Sequence, residues 1–170
     1  SGSTTSSTCY IELTTAAGAS FRDNANVQTN ALRFNSANGC SLTLTGTFTS
    51  VIRIAGAVDF KISNLQVQAT GSSKSRAFYA DNSGGSGNLN NCIFEGRESA
   101  NDIGVIAIYG STKMVRNCLF VQRLNSAYTT AYFASGVTIV NCTFVVPSDI
   151  TASTVSIFSQ YSSCTIKNCN

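Results

Sequence analysis

The chain has 170 residues, a formal net charge of +3 and seven cysteines, but no histidine and no tryptophan. Its 43% hydrophobic content argues against intrinsic disorder, and its small net charge argues against nucleic-acid or membrane partners. Because histidine is absent, a Ser-His or Cys-His catalytic pair is impossible, and zinc could bind only through cysteines or carboxylates.

The N-terminal residues 1–30 are predicted to form a strand, around residues 9–13, and a cap segment. Residues 31–170 are predicted to form a parallel β-helix, and the two parts together make one domain. Helices are not expected, because Ser, Thr, Asn and Gly make up 72 of the residues and weaken the helical backbone. Short alternating runs bounded by Gly, Ser and Asn clusters indicate strands instead.

Two weak repeat units come first, at 31–34 with 42–44 and at 51–54 with 60–62. Later units carry an apolar strand at 77–80, 105–109, 130–133 and 155–158, and each ends on an apolar residue, any residue, Asn and Cys. The spacings between the repeated asparagines are 27, 26, 24 and 27 residues, and Leu65 replaces the cysteine in the first copy. The aligned residues are Asn64, Asn91, Asn117, Asn141 and Asn168, then Cys92, Cys118, Cys142 and Cys169, then Phe94, Phe120 and Phe144.

A unit of this kind cannot bury its own apolar face, but units stacked into a solenoid can. Coils of a parallel β-helix lie about 4.8 Å apart, so six to seven coils would make a column about 30 Å tall. Alternation predicts that the repeated cysteines and phenylalanines point inward, whereas Ile93, Leu119 and Thr143 point to a partly covered outer face. The asparagines are predicted to occupy a bend and to form a structural hydrogen-bonded ladder.

The I-x-N-C-x-F repeat resembles the coils of right-handed parallel β-helix proteins, the group that includes pectate lyases and bacteriophage tailspikes. The resemblance covers about residues 30–170. It implies an all-β, right-handed, single-stranded parallel β-helix of about six to seven coils, with an asparagine ladder at a bend and stacked side chains inside. It says little about function, since one fold carries many activities.

The four repeated cysteines could form a metal site, a disulfide framework or a row of free thiols. The paired C-x-x-C spacing of metal sites is missing. Stacked Cα atoms about 4.8 Å apart would permit a disulfide, but neighbouring side chains run parallel and seven cysteines leave one over. We favour free, buried thiols that act as small hydrophobes, with no metal and no cofactor. Cys9 and Cys40 could still pair with each other.

Catalysis on this scaffold would need carboxylates in register on one face. A glycosidase uses two, about 5 to 10 Å apart, and the resemblance to pectate lyases implies acidic residues for calcium and a basic residue for proton abstraction. The only acidic cluster in the sequence is Glu95, Glu98 and Asp102. It is either a carboxylate pair over the sheet or a solvated, self-paired loop of little energetic weight. We favour the solvated loop and predict that the chain is not an enzyme.

Three arginines lie beside the first strands of successive units, namely Arg33, Arg53 and Arg76. They could form an outward ladder that discourages edge pairing or that binds an acidic partner. Aromatic rings on the outer face could stack on sugars. If Tyr79 and Phe133 point inward, then Phe78 and Tyr132 point outward, and Tyr109 and Tyr128 could join them.

These features favour a non-catalytic structural or adhesion component of a bacteriophage particle, such as a capsid decoration protein, spike or fibre. The alternatives are a polysaccharide lyase or depolymerase of the tailspike type and a secreted carbohydrate-binding β-helix. We expect other virion proteins and a surface polysaccharide as partners. We expect the open end of the column to be covered either by further chain or by another subunit. A homo-oligomer is therefore also expected, and the resemblance implies a trimer. The expected location is the virion or, alternatively, the extracellular space.

Overall fold

A computed structural model describes residues 5–6, 8–23, 33–46, 50–70, 75–81, 84–96, 103–109, 113–123, 129–133, 136–145, 155–159 and 164–170. Within these ranges the chain forms sixteen short β-strands and no helix. The strands are β1 (Ile11–Thr14), β2 (Ser41–Leu44), β3 (Ser50–Ala55), β4 (Phe60–Ser63), β5 (Gln66–Ala69), β6 (Arg76–Asp81), β7 (Gly87–Asn90), β8 (Ile93–Gly96), β9 (Ile103–Tyr109), β10 (Lys113–Arg116), β11 (Leu119–Gln122), β12 (Thr129–Phe133), β13 (Val137–Val140), β14 (Thr143–Val145), β15 (Val155–Ser159) and β16 (Thr165–Lys167).

Consecutive strands belong to three different parallel sheets, because each strand pairs with the strand three places along the chain. Sheet A has the order β1-β4-β7-β10-β13-β16, sheet B has β2-β5-β8-β11-β14, and sheet C has β3-β6-β9-β12-β15. The chain therefore winds around a column as a parallel β-solenoid, which confirms the predicted all-β parallel architecture. The right-handed sense stays a prediction, from the general preference of parallel crossovers.

The predicted count of six to seven coils is too high. The regular column with a buried interior makes about three turns, from β4 to β12. Strands at the two ends differ from these, since β1 and β16 are exposed along their whole length. The sequence count treats every unit as a complete coil, whereas an end unit has a neighbour on one side only and cannot be buried equally.

The interior of the column is filled by side chains at equivalent positions of successive coils. In sheet B, Phe94 stacks on Phe120 with ring centroids 5.6 Å apart, and Phe120 stacks on Phe144 at 4.9 Å. The strand register places all three in one row. Phe94 and Phe120 are fully buried, whereas Phe144 is half-buried near the end of the column. Each stacked pair contributes about 0.5 to 1.5 kcal/mol beyond its buried area.

A segment that precedes the column covers the outer face of sheet B. We call it the cover segment, residues 16–23 and 33–40. Its rings Phe21 and Phe34 pack against Ile93, Leu119 and Val121, which are therefore almost completely buried although they point outward. Residues 33–34 lie outside any strand, so the strand predicted at 31–34 is wrong for the part that the structure describes.

Two contacts hold the cover segment in place. The buried side chain of Gln66, in β5, accepts the N–H of Asn35 at 2.8 Å and donates to the carbonyls of Asn35 and Asn38 at 2.9 and 3.1 Å. Gly39 has φ +99°, and a Cβ there would lie 2.6 Å from the backbone nitrogen of Phe21. Only glycine lets the two halves of the segment approach this closely.

Candidate functional site

The five repeated asparagines occupy the bend between sheet A and sheet B in successive coils. All five have positive φ, between 51° and 61°, a left-handed conformation that Asn adopts more easily than most residues because its short polar side chain can hydrogen-bond locally. The side-chain amide of Asn91 donates to Asn64, that of Asn117 to Asn91 and that of Asn141 to Asn117, at 3.4, 3.2 and 3.4 Å. Asn168 has the same backbone conformation in the last described coil.

The repeated cysteines follow these asparagines and point into the column. Cys92, Cys118 and Cys142 are buried, and Cys169 is half-buried. The thiols of the buried three donate to backbone carbonyls two residues earlier, at 3.3, 3.1 and 3.4 Å. Burial raises the pKa of Cys118 well above its ordinary value, so that thiol stays protonated at neutral pH. No disulfide joins any of the seven cysteines, and Cys9 and Cys40 are both exposed and separate.

Of the predicted acidic cluster, the structure describes Glu95, while Glu98 and Asp102 lie outside the described residues. Glu95 is 2% exposed on the outer side of β8. Its carboxylate accepts hydrogen bonds from Gln68 Nε2 at 2.8 Å and from Arg123 Nε at 3.0 Å. The solvated-loop interpretation is therefore wrong for Glu95, because the carboxylate is buried in an ion pair. The sequence carried a weak signal for this contact, since Gln68 is a polar residue at an outward position of β5.

Tyrosines and arginines meet on the outer face of sheet C. The strand register places Tyr79, Ala107 and Tyr132 in one row. Alanine leaves a gap between the two tyrosines, and Tyr109 fills it, with ring centroids 5.7 Å from Tyr79 and 4.8 Å from Tyr132. The guanidinium groups of Arg53 and Arg76 lie 5.8 and 5.1 Å from the centre of the Tyr79 ring. We call Arg53, Arg76, Tyr79, Tyr109 and Tyr132 the tyrosine–arginine face.

The expectations about this face are partly wrong. Phe133 points inward and Tyr132 outward, as expected, and Tyr128 lies outside the described residues. Phe78 points inward, fully buried between Phe60 and Phe94, and Tyr79 points outward. The inward side of β6 must fill the space between two phenylalanines of the other sheets. The ring of Phe78 fills it without burying a hydroxyl, whereas the ring of Tyr79 would bury one. The three-arginine ladder does not form either, because Arg33 belongs to the cover segment and the register aligns Arg53 with Tyr79 and not with Arg76.

A cavity of about 630 Å³ lies between the cover segment and the asparagine bend. Its lining includes Arg22 and Arg33 from the cover segment, Ile93 and Leu119 from sheet B, and Asn117 from the bend. We call it the ladder groove. Alternating sequence patterns cannot reveal it, because its two sides are far apart in the chain.

The sequence pattern also did not indicate that Lys113 is buried inside the column. Lys113 is 3% exposed and shares an inward row with Phe60, Gly87 and Val137. Its ammonium group donates to the carbonyl of Gly85. Burial lowers the pKa of Lys113, and attraction to Asp59 opposes that shift. Gly87 makes room for the lysine, since a Cβ there would lie 2.8 Å from the lysine Cδ.

In the described part of the chain, no group of three or more acidic or cysteine side chains is placed to hold a metal ion. None of the described residues forms a helix that could cross a membrane. Comparison of the chain with protein-family models, with curated proteins and with solved structures finds no match. The assignment of the fold therefore depends on strand pairing and register alone.

Proposed function

We propose that the chain is a non-catalytic adhesion or structural component of a bacteriophage particle, such as a capsid decoration protein, spike or fibre. The proposal combines the resemblance of the repeat to tailspike coils with one observation, the tyrosine–arginine face on sheet C. Side chains on paired strands are fixed more firmly than side chains on loops, which suits a surface that must keep its shape while it holds a partner.

The chemistry of this face suits an acidic polysaccharide. Tyr79 and Tyr109 are half-buried, so part of each ring remains available to stack on a sugar. Arg53 is exposed beside them, and a guanidinium group can bind a carboxylate through two parallel hydrogen bonds. Tyr132 is almost fully buried and supports Tyr109 from behind. Stacking and charge together would recognise a chain of sugars that bears carboxylates.

The distribution of acidic residues supports a non-catalytic role. Among the residues that the structure describes, none of four cavities is lined by more than one carboxylate. Glu95 lines one of them, and its oxygens are already bonded to Gln68 and Arg123. Hydrolysis of a glycosidic bond would need a second acid about 5 to 10 Å away. The lyase or depolymerase alternative would therefore depend on Glu98 or Asp102.

The same proposal extends to partners and location. We infer other virion proteins as partners, self-association as a homo-oligomer, most simply a trimer, and a location in the virion. A second candidate, a secreted carbohydrate-binding solenoid, is favoured by the same tyrosine–arginine face. The two differ in where the protein occurs, since only the first predicts a fixed number of copies in purified particles.

One experiment tests adhesion and catalysis together. The protein is incubated with a panel of acidic polysaccharides, and both binding and the release of reducing or unsaturated ends are measured. We expect binding without release, and we expect the Arg53→Gln/Arg76→Gln double variant to bind at least about tenfold more weakly. Arg116→Gln is the matched control, because Arg116 is exposed on sheet A.

Two results would contradict the proposal. Equal binding by the double variant would exclude the tyrosine–arginine face. Reproducible release of unsaturated or reducing ends that Glu98→Gln abolishes would make the chain an enzyme. The mass of the protein in solution and its copy number in particles test the oligomer and the location separately.

A further inference from the structure

The ladder groove has the shape of a channel that runs along the column. The column residues that line it come from four successive coils, represented on sheet B by Gln66, Ile93, Leu119 and Thr143. Three steps of about 4.8 Å give a length of about 14 Å. The groove is thus long enough for an extended small molecule that lies parallel to the column axis.

One side of the groove is apolar and the other is polar but uncharged. Ile93 and Leu119 lie at the base of the apolar side, where the rings of Phe21 and Phe34 leave only 2% and 5% of their surface exposed, and the half-buried ring of Phe21 forms the wall above them. The opposite side is the asparagine ladder, where each side-chain amide has two N–H groups. The side-chain amides of Asn91 and Asn141 each donate one of these N–H groups to the asparagine of the preceding coil, within the described residues. An elongated apolar body would fit against the first side without burying a charge.

The charge of the groove is positive. Arg22 and Arg33 both line it, and no acidic residue does. Neither guanidinium group forms an ion pair or a hydrogen bond with any residue that the structure describes. Two unpaired guanidinium groups beside an apolar surface complement a ligand that has an anionic head and an apolar body.

We propose that the ladder groove binds a free carboxylate with an extended apolar chain, a ligand of the fatty-acid kind. The carboxylate lies at Arg22 and Arg33, and the chain lies against the ring of Phe21, above Ile93 and Leu119, and extends toward Thr143. The groove is on sheet B, whereas the tyrosine–arginine face is on sheet C, so this inference does not depend on the proposed adhesion function.

Calorimetric titration of the whole chain with dodecanoate, at low salt and below micelle-forming concentrations, tests the proposal. We expect saturable binding of one molecule per chain. The Arg22→Gln/Arg33→Gln double variant should bind at least about tenfold more weakly, since each arginine would make charge-assisted hydrogen bonds. The Arg53→Gln/Arg76→Gln variant is the matched control and should bind as the parent does. Arg22 and Arg33 are exposed, and their guanidinium groups bond to no residue that the structure describes, so the melting temperature of the Arg22→Gln/Arg33→Gln variant should be unchanged.

Two further measurements locate the head and the chain. Dodecan-1-ol should bind more weakly than dodecanoate and equally to the parent and to the Arg22→Gln/Arg33→Gln variant. Thr143→Phe should shorten the groove and weaken dodecanoate binding more than octanoate binding. The proposal is overturned if the parent shows no saturable binding, if both double variants lose affinity equally, or if the alcohol binds as tightly as the carboxylate.

Discussion

The left-handed bend at Asn117 can be tested by replacing this residue with alanine and, separately, with glycine. Asn117 has φ +51°, a conformation that costs an ordinary L-residue such as alanine roughly 1 to 2 kcal/mol but that asparagine tolerates, because its side chain can hydrogen-bond locally. Alanine also removes the ladder bonds to Asn91 and Asn141, which are 3.2 and 3.4 Å long. Since the side chain is exposed, each bond contributes about 0.5 kcal/mol, the low end of the usual range. The expected loss for Asn117→Ala is about 2 to 3 kcal/mol.

Glycine separates backbone strain from the loss of hydrogen bonds. It adopts positive φ without steric cost but loses roughly 0.5 to 1 kcal/mol of chain entropy on folding. Asn117→Gly should therefore be destabilised by about 1.5 to 2 kcal/mol and remain more stable than Asn117→Ala by about 0.5 to 1 kcal/mol. Urea unfolding followed by circular dichroism gives the three free energies. Asn88→Ala, in strand β7 and outside the ladder, is the control and should change little.

If alanine were as stable as glycine at this position, the bend would not be the source of the strain. If both variants matched the parent, the ladder would make no contribution to stability. Either result would refute the physical role assigned to the repeated asparagine, which is the feature on which the prediction of the fold depends.

Three further predictions concern the buried polar and thiol groups. The pKa of Lys113 is lowered in the folded state, so the folded protein loses the ammonium proton at a lower pH than the unfolded chain does. Stability should therefore rise as pH increases from the lowered folded pKa toward the ordinary lysine value. In urea unfolding from neutral to alkaline pH, Lys113→Met should lack this rise, and a parallel pH dependence in both proteins would contradict it. Arg123→Ala should cost about 1 to 2 kcal/mol by removing the cationic partner of buried Glu95, whereas Arg116→Ala should cost little. Equal losses in thermal unfolding would argue against the ion pair. A thiol reagent should modify the exposed Cys9 and Cys40 quickly in the native protein. It should modify the buried Cys92, Cys118 and Cys142 only after unfolding. Fast labelling of these three in the native protein would refute the inward row of cysteines.

The parallel solenoid could be predicted because its signal is local and repeated. Each asparagine marks the same bend, and a residue two positions after it falls on the outer side of sheet B while the next one, such as Phe94 or Phe120, points inward. The repeat thus fixes the register of sheets A and B at once. A period of two along each strand is enough to assign the faces once the bend is known.

Sheet C and the cover segment could not be predicted in the same way. Sheet C has no invariant bend residue, so the facing of Phe78 and Tyr79 depends on what fills the interior from the other sheets. The position of Tyr109 depends on Ala107 in the same strand, because the small alanine side chain leaves space beside Tyr79. The register that aligns Ala107 with Tyr79 is known only from the structure. Burial of Lys113 likewise requires the cavity that Gly87 leaves in the preceding coil.

The cover segment has a consequence for the order in which the molecule assembles. Phe21 and Phe34 are synthesised early, but the surface that they cover includes Leu119 and Val121, which are synthesised much later. The segment can bond to Gln66 of β5 earlier, but its packing is complete only after strand β11 has joined the column. In a stack whose coils otherwise touch only their immediate neighbours, a brace that spans β8 and β11 links coils that would otherwise fray independently. The docked segment should therefore couple the unfolding of the coils that contain β8 and β11.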